Sequence, residues 1–221
     1  MTPMLDLSVY AVLDPSRCHE RPLAAMAEAC ARGGATLLQY RDKLSSTRTL
    51  VAQARAIKQA LAPYAVPLLI NDRVDVALAA AADGVHLGQE DMGAADARKL
   101  LGPAAIIGVT AHFPAEADGI DGALADYAGM GPVFETGSKQ QKDPVIGPDG
   151  LAALIGHLRA RLPGFPVCGI AGVDHSNAHD VIAAGADGVA VISDIFMAED
   201  VEAATRRLAD RVHQARRSLS A

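Results

Sequence analysis

The chain has 221 residues, half of them hydrophobic, and a formal net charge of -6. This is enough apolar material for one large core, while the acidic balance argues against a nucleic-acid or anionic-membrane partner, since such surfaces attract clustered Lys and Arg. Cys18, Cys30 and Cys168 are odd in number, widely spaced and outside any CxxC pattern, so reduced thiols are expected rather than a disulfide framework or a zinc site.

The first residues carry Asp6 and Asp14 and no basic segment before an apolar run, so no secretory leader is expected. No apolar run approaches the length of a membrane span, and a cytoplasmic protein is the expectation. β-branched or apolar runs then predict strands at 7–13 and 35–40, followed by an Ala-rich amphipathic helix over 47–61 that Ser45 or Ser46 is placed to cap. Further strands are predicted at 66–70, 84–87, 106–110 and 127–133. A polar loop-length stretch over 136–143 follows, then a helix over 151–162, strands at 167–170 and 188–192, and a final helix over 201–219.

No linker, low-complexity tract or charge block divides the chain, so a single domain over 1–221 is expected. Strands alternating with helices imply parallel strands joined by helical crossovers. The fragment Ala82-Asp83-Gly84-Val85 opens the fourth predicted strand and Ala186-Asp187-Gly188-Val189 opens the eighth, so one construction is used twice. Eight such units suit a closed (β/α)8 TIM barrel, a fold of about 250 residues that can be somewhat shorter, with a doubly wound open sheet as the alternative.

In a barrel the loops after the strand C-termini build the active site, and the unusual polar residues fall there. Gln39, Arg41 and Lys43 are spaced by two, so an extended strand puts them on one face, with Tyr40 and Asp42 on the other. Asp72 and Asp91 follow sequential strands, about 4.8 Å apart in a sheet, so their carboxylates could share one ion; hard oxygen ligands suit Mg2+ completed by phosphate oxygens. A post-strand Asp serves as readily as a helix cap. Lys139, beside Thr136, Gly137 and Ser138, offers a charge and hydroxyls to an anion, though such residues are ordinary in loops.

Gly169–Gly172 follows the seventh strand and Ser193 the eighth, the two loops in which barrels frequently hold a phosphate on backbone N–H groups; a tight glycine turn would look the same. His86 sits inside a strand and reads as a hydrogen-bonded core residue, and neither it nor His112 has a partner at metal-ligand spacing. Gly129-Met130-Gly131 lacks the third glycine of a dinucleotide fingerprint, and Met130 reads as packing.

Taken in order, Gln39-Tyr40-Arg41-Asp42-Lys43, Ile70-Asn71-Asp72-Arg73, Gly84-Val85-His86-Leu87-Gly88-Gln89-Glu90-Asp91 and Gly131-Pro132-Val133-Phe134 leading to Lys139 resemble the thiamine phosphate synthase family. Ile107-Gly108-Val109-Thr110, Gly169-Ile170-Ala171-Gly172 and Val189-Ala190-Val191-Ile192-Ser193 extend the resemblance to the eighth strand. It implies an Mg2+-dependent transferase acting on two phosphorylated small molecules, a pyrimidine diphosphate and a thiazole phosphate, with pyrophosphate leaving; a homo-oligomer is compatible with it.

By the same resemblance Gln39, Tyr40, Arg41, Asp42, Lys43, Asn71, Thr110 and Lys139 hold the pyrimidine diphosphate, and Arg41, Lys43, Thr110 and Lys139 are catalytic. Asp72 and Asp91 bind the metal, and Thr136, Gly137, Ser138, Gly172, Ile192 and Ser193 surround the thiazole phosphate. Thr110, Ser138, Glu135 and Ala171 stand where the family more commonly has Ser, Thr, Pro and Gly. Two alternatives stay open: a thiazole tautomerase on the same barrel, which needs no such anion clamp, and a catalytically silent barrel that binds a phosphorylated ligand.

Overall fold

The computed structural model describes residues 5–137 and 143–220. Eight parallel strands close into a ring in chain order: β1 (Val9–Leu13), β2 (Leu37–Tyr40), β3 (Leu68–Asn71), β4 (Gly84–Leu87), β5 (Ile106–Ala111), β6 (Tyr127–Met130), β7 (Val167–Gly169) and β8 (Gly188–Val191). The expected (β/α)8 barrel is the fold. The helices around it are α1 (Leu23–Arg32), α2 (Thr47–Leu61), α3 (Val74–Ala80), α4 (Ala94–Leu101), α5 (Pro114–Asp118), α6 (Gly147–Arg161), α7 (Ala178–Ala183), α8 (Ser193–Phe196) and α9 (Val201–Ser220). Among the described residues no helix is long and apolar enough to cross a membrane.

The strands are apolar on both faces because both faces are covered. Outward residues such as Val9, Leu38, Leu68, Val85, Ile107, Val167 and Val189 join the helices in one core layer. Tyr10, Val12, Leu37, Leu69, Tyr127, Cys168 and Ala190 fill the barrel itself. Ser46, of the two candidate caps, is the one used: its Oγ accepts from the Thr49 N–H at 3.3 Å. The sixth strand stops at Met130, short of the predicted 133, because Pro132 follows and has no N–H to extend the ladder. Helix α6 starts earlier than predicted, at Gly147, with a proline in its first turn, where a missing N–H costs nothing.

The repeated Ala-Asp-Gly-Val fragment has a mechanical purpose. Asp83 Oδ2 accepts from Leu68 N–H at 2.8 Å, and Asp187 Oδ2 accepts from Val167 N–H at 2.8 Å, so the aspartate ahead of one strand holds the start of the preceding strand. Asp126 does the same for Ile107 at 2.7 Å, in a third copy with Tyr127 in place of the glycine. In the first pair of strands Thr36 Oγ1 accepts from Val9 N–H at 3.1 Å. Each of the three aspartates also pairs with a cation from a crossover helix, Lys58 at 3.1 Å, Arg98 at 2.7 Å and Arg159 at 2.6 Å. Strand starts, which a ladder alone leaves with orphan donors, are thus tied to the helical layer.

Asp187→Ala removes the acceptor of a buried strand-start N–H, and a loss of about 1–3 kcal/mol is expected. Urea denaturation would measure it, and a change inside about 0.5 kcal/mol would show that the clamp contributes nothing beyond an ordinary surface position.

Candidate active site

A cavity of about 640 Å3 opens at the C-terminal ends of the strands. Gln39, Arg41, Lys43, Asn71, Asp72, Asp91, Thr110, Thr136, Gly137, Gly172, Ile192 and Ser193 all line it, so residues dispersed through the sequence meet at one mouth. Ser138 and Lys139 lie outside the described residues. Tyr40 and Asp42, between these residues in sequence, are not among those that line it. Tyr40 is buried in the outer core layer and its hydroxyl donates to Asp42 Oδ2 at 3.0 Å, while Asp42 Oδ1 accepts from the backbone of Leu44 at 2.9 Å and Ser45 at 3.1 Å. The two-residue alternation that separates them from Gln39, Arg41 and Lys43 is the physical reason.

The floor is a buried polar chain. Gln39 Nε2 donates to the Tyr10 hydroxyl, which lies 2.7 Å from the Tyr127 hydroxyl. That hydroxyl is 2.8 Å from His86 Nδ1, and His86 Nε2 is 2.8 Å from Thr110 Oγ1. Burial, the largest cause for each, raises both phenols above their ordinary pKa, so they stay protonated donors. One direction satisfies every link: Gln39 to Tyr10, Tyr10 to Tyr127, Tyr127 to His86 Nδ1, and the His86 Nε2–H to Thr110. The Thr110 O–H is then left to donate. His86 is therefore a hydrogen-bonded interior residue, as its place in a strand predicted. Nothing in the sequence distinguishes Tyr10 and Tyr127, because aromatic residues in apolar strand runs carry no mark that separates network from packing.

The rim over β3 and β4 is acidic. Asp72 has a left-handed backbone at φ 62°, which Asp tolerates better than most side chains. Neither Asp72 nor Asp91 caps a helix: α3 is preceded by Arg73 and α4 by Gly93, with no side-chain cap at either. Asp91 Oδ2 accepts from Gly88 N–H at 2.8 Å. Its carboxyl is held above the ordinary carboxylate range, first by burial and then by the carboxylate of Asp72 against it, with Lys43 opposing. Two carboxylates forced together, one of them reluctant to ionise, are a donor set suited to a hard divalent cation. Among the described residues no group of three or more His, Cys, Asp or Glu side chains converges in that way, so such an ion would draw its remaining ligands from water and substrate.

The cations nearby are already engaged. Lys43 Nζ pairs with Asp72, and Arg41 pairs with the buried Asp14. On the opposite side of the mouth, Gly172 adopts φ 68° and lies so close to the loop after β6 that a Cβ there would come within 2.5 Å of the Glu135 carbonyl oxygen. Ala171, just before it, has φ 67°, a left-handed conformation that costs a Cβ-bearing residue about 1–2 kcal/mol. The departure from glycine noted in the sequence thus falls at a strained position. His112, which also lines the cavity, is held by Glu116 at 3.0 Å.

A sequence model described as thiamine monophosphate synthase matches residues 9–195. The thiamine-phosphate synthase of Agrobacterium fabrum is 50% identical over 201 residues, 91% of each chain. That of Xanthobacter autotrophicus is 49% identical over 216 residues, covering 98% of this chain and all of the relative. Among solved structures, a thiamine phosphate pyrophosphorylase from Pyrococcus furiosus superposes with a TM-score of 0.83 at 35% identity, over 96% of this chain and 98% of the other.

Tyr127→Phe strips partners from both Tyr10 and His86 in a buried chain, and a loss of about 1–3 kcal/mol in denaturant unfolding is expected. Ala171→Gly relieves the left-handed strain, offset in part by the greater freedom of an unfolded glycine. A gain of up to about 1 kcal/mol is expected, and a clear loss in the same measurement would contradict the strain.

Proposed function

The chain belongs to the thiamine monophosphate synthase family, and on that premise we propose how its mouth makes thiamine phosphate. The substrates are 4-amino-2-methyl-5-hydroxymethylpyrimidine diphosphate and 4-methyl-5-(2-phosphooxyethyl)thiazole, and pyrophosphate is the second product. The bond from the pyrimidine methylene carbon to the diphosphate oxygen breaks, its electrons leaving with pyrophosphate. A bond from the thiazole nitrogen to that carbon forms. No protein nucleophile and no proton transfer to the chain are needed, so the protein's task is charge stabilisation at the leaving group and alignment of two substrates.

The observation that carries this reading is the meeting of Asp72, Asp91, Arg41 and Lys43 on one rim, above a floor that presents Gln39 and Thr110. Asp72 and Asp91 would hold Mg2+, which when bound supplies charge neutralisation for the departing diphosphate. Lys43 exchanges its pairing with Asp72 for a phosphate oxygen, and Arg41, steadied by Asp14, takes a second. Thr110 donates its O–H into the cavity, while Gln39 and Asn71 orient the pyrimidine. Tyr40 and Asp42 complete the 39–43 segment that holds the pyrimidine diphosphate and support the turn that carries Lys43. Thr136, Gly137, Gly172, Ile192 and Ser193 surround the thiazole phosphate. The parts that the resemblance gives Lys139 beside the diphosphate and Ser138 beside the thiazole phosphate fall outside the described residues.

Purified protein given both substrates and Mg2+ is expected to release thiamine phosphate and pyrophosphate in equal amounts; tight binding of both substrates without product would instead identify a silent barrel. Asp91→Ala is expected to lose at least ~100-fold of the Mg2+-dependent rate. Its affinity for the thiazole phosphate should stay within about twofold, since that site lies across the mouth. Unchanged turnover would remove Asp91 from the metal site.

A further inference from the structure

Three cations line the cavity among the described residues: Arg17, Arg41 and Lys43. Arg41 and Lys43 are paired with Asp14 and Asp72. Arg17 forms no ion pair with any described carboxylate. It sits at the end of a 3-10 turn over Pro15–Arg17, immediately after β1. One terminal nitrogen of its guanidinium donates to the carbonyl of Gly137, in the loop after β6. Its Nε is buried and has no hydrogen-bond partner. A buried guanidinium N–H without an acceptor is costly, and native structures rarely keep one unless a ligand or ion completes it.

Its position says which ligand. Strand β1 neighbours β8 in the ring, and Arg17 reaches from there to Gly137. It therefore spans the side of the mouth formed by the loops after β6, β7 and β8, whereas Asp72 and Asp91 stand on the side of β3 and β4. It lines a cavity together with Thr136, Gly172 and Ser193. A planar guanidinium with free N–H groups matches a phosphate in geometry and charge.

We propose that Arg17 binds the phosphate of the thiazole substrate, contributing the cation of that half of the site, a role that rests on the function proposed above. Arg17 is thus a binding residue for one substrate and not for the other. A Lys in its place keeps the charge but loses the fork.

The test compares the unmodified protein with Arg17→Ala and Arg17→Lys, using calorimetric affinity for 4-methyl-5-(2-phosphooxyethyl)thiazole, and separately for the pyrimidine diphosphate with Mg2+, alongside two-substrate kinetics. Expected is a tenfold to about hundredfold weaker affinity for the thiazole phosphate in Arg17→Ala. Arg17→Lys should fall between, and affinity for the pyrimidine diphosphate should stay within about twofold in both. Unchanged thiazole phosphate affinity, or equal weakening of both substrates, would overturn the assignment. If the unmodified protein binds the thiazole phosphate but makes no product, and Arg17→Ala loses that binding, the proposed reaction falls while Arg17 stands. If the unmodified protein does not bind it at all, both fall.

Discussion

The seam between β1 and β8 is the constraint on which the mouth depends. Val9, Tyr10 and Ala11 pair with Val189, Ala190 and Val191, and this contact turns a sheet into a ring without edges. It is tight enough that Gly188 admits no side chain, since a Cβ there would lie 1.6 Å from the Leu7 carbonyl oxygen. Once closed, every strand points its C-terminal end at the same opening, and residues on strands distant in sequence become neighbours. Tyr10 on β1 can then meet Tyr127 on β6, a contact no local structure could make. The floor of the cavity is a consequence of closure.

Above that floor, the charges of the rim over β1 to β4 are paired with one another. Arg41 and Lys43 each have a carboxylate, and those pairings hold two long side chains at the mouth. Asp91 departs from this balance, its carboxyl raised by burial and by Asp72. On the function proposed above, a divalent cation and a diphosphate would resolve it together, the two carboxylates holding the cation and Lys43 gaining a phosphate partner. Binding by exchange costs less reorganisation than binding to side chains that must first be ordered.

The fold was legible because strands apolar on both faces, separated by amphipathic helices, have few architectures open to them. The rim was legible for a related reason: Arg41, Lys43, Asp72 and Asp91 are charges at the ends of buried strands, where nothing about packing asks for them. The alternation along residues 39–43 was legible too: Gln39, Arg41 and Lys43 line the cavity, while the Tyr40 hydroxyl donates to Asp42. The floor was not legible. Tyr10 and Tyr127 stand 117 residues apart and look like core in any local window. Arg17 looks like an ordinary loop cation, and the clamp of Asp126 was hidden because Tyr127 replaces the glycine of its sister copies.

Asp14 ties these parts together in a way that no motif announces. It is only 5% exposed, yet each of its acceptors is used. One carboxylate oxygen accepts from Ser16 N–H at 2.9 Å and Ser16 Oγ at 2.7 Å, which fixes the turn bearing Arg17; the other accepts from Arg41. Its carbonyl accepts from Arg17 N–H at 2.9 Å and from Cys18 Sγ at 3.1 Å. A single buried carboxylate therefore sets both a cation of the rim and the turn from which Arg17 reaches the opposite side. Because burying that charge is tolerable only with all these partners in place, the two halves of the mouth are coupled through β1 even though their ligands come from different strands. In the proposed reaction, which requires the alignment of two substrates more than any reactive side chain, one strand end would thus fix a cation on each side of the mouth.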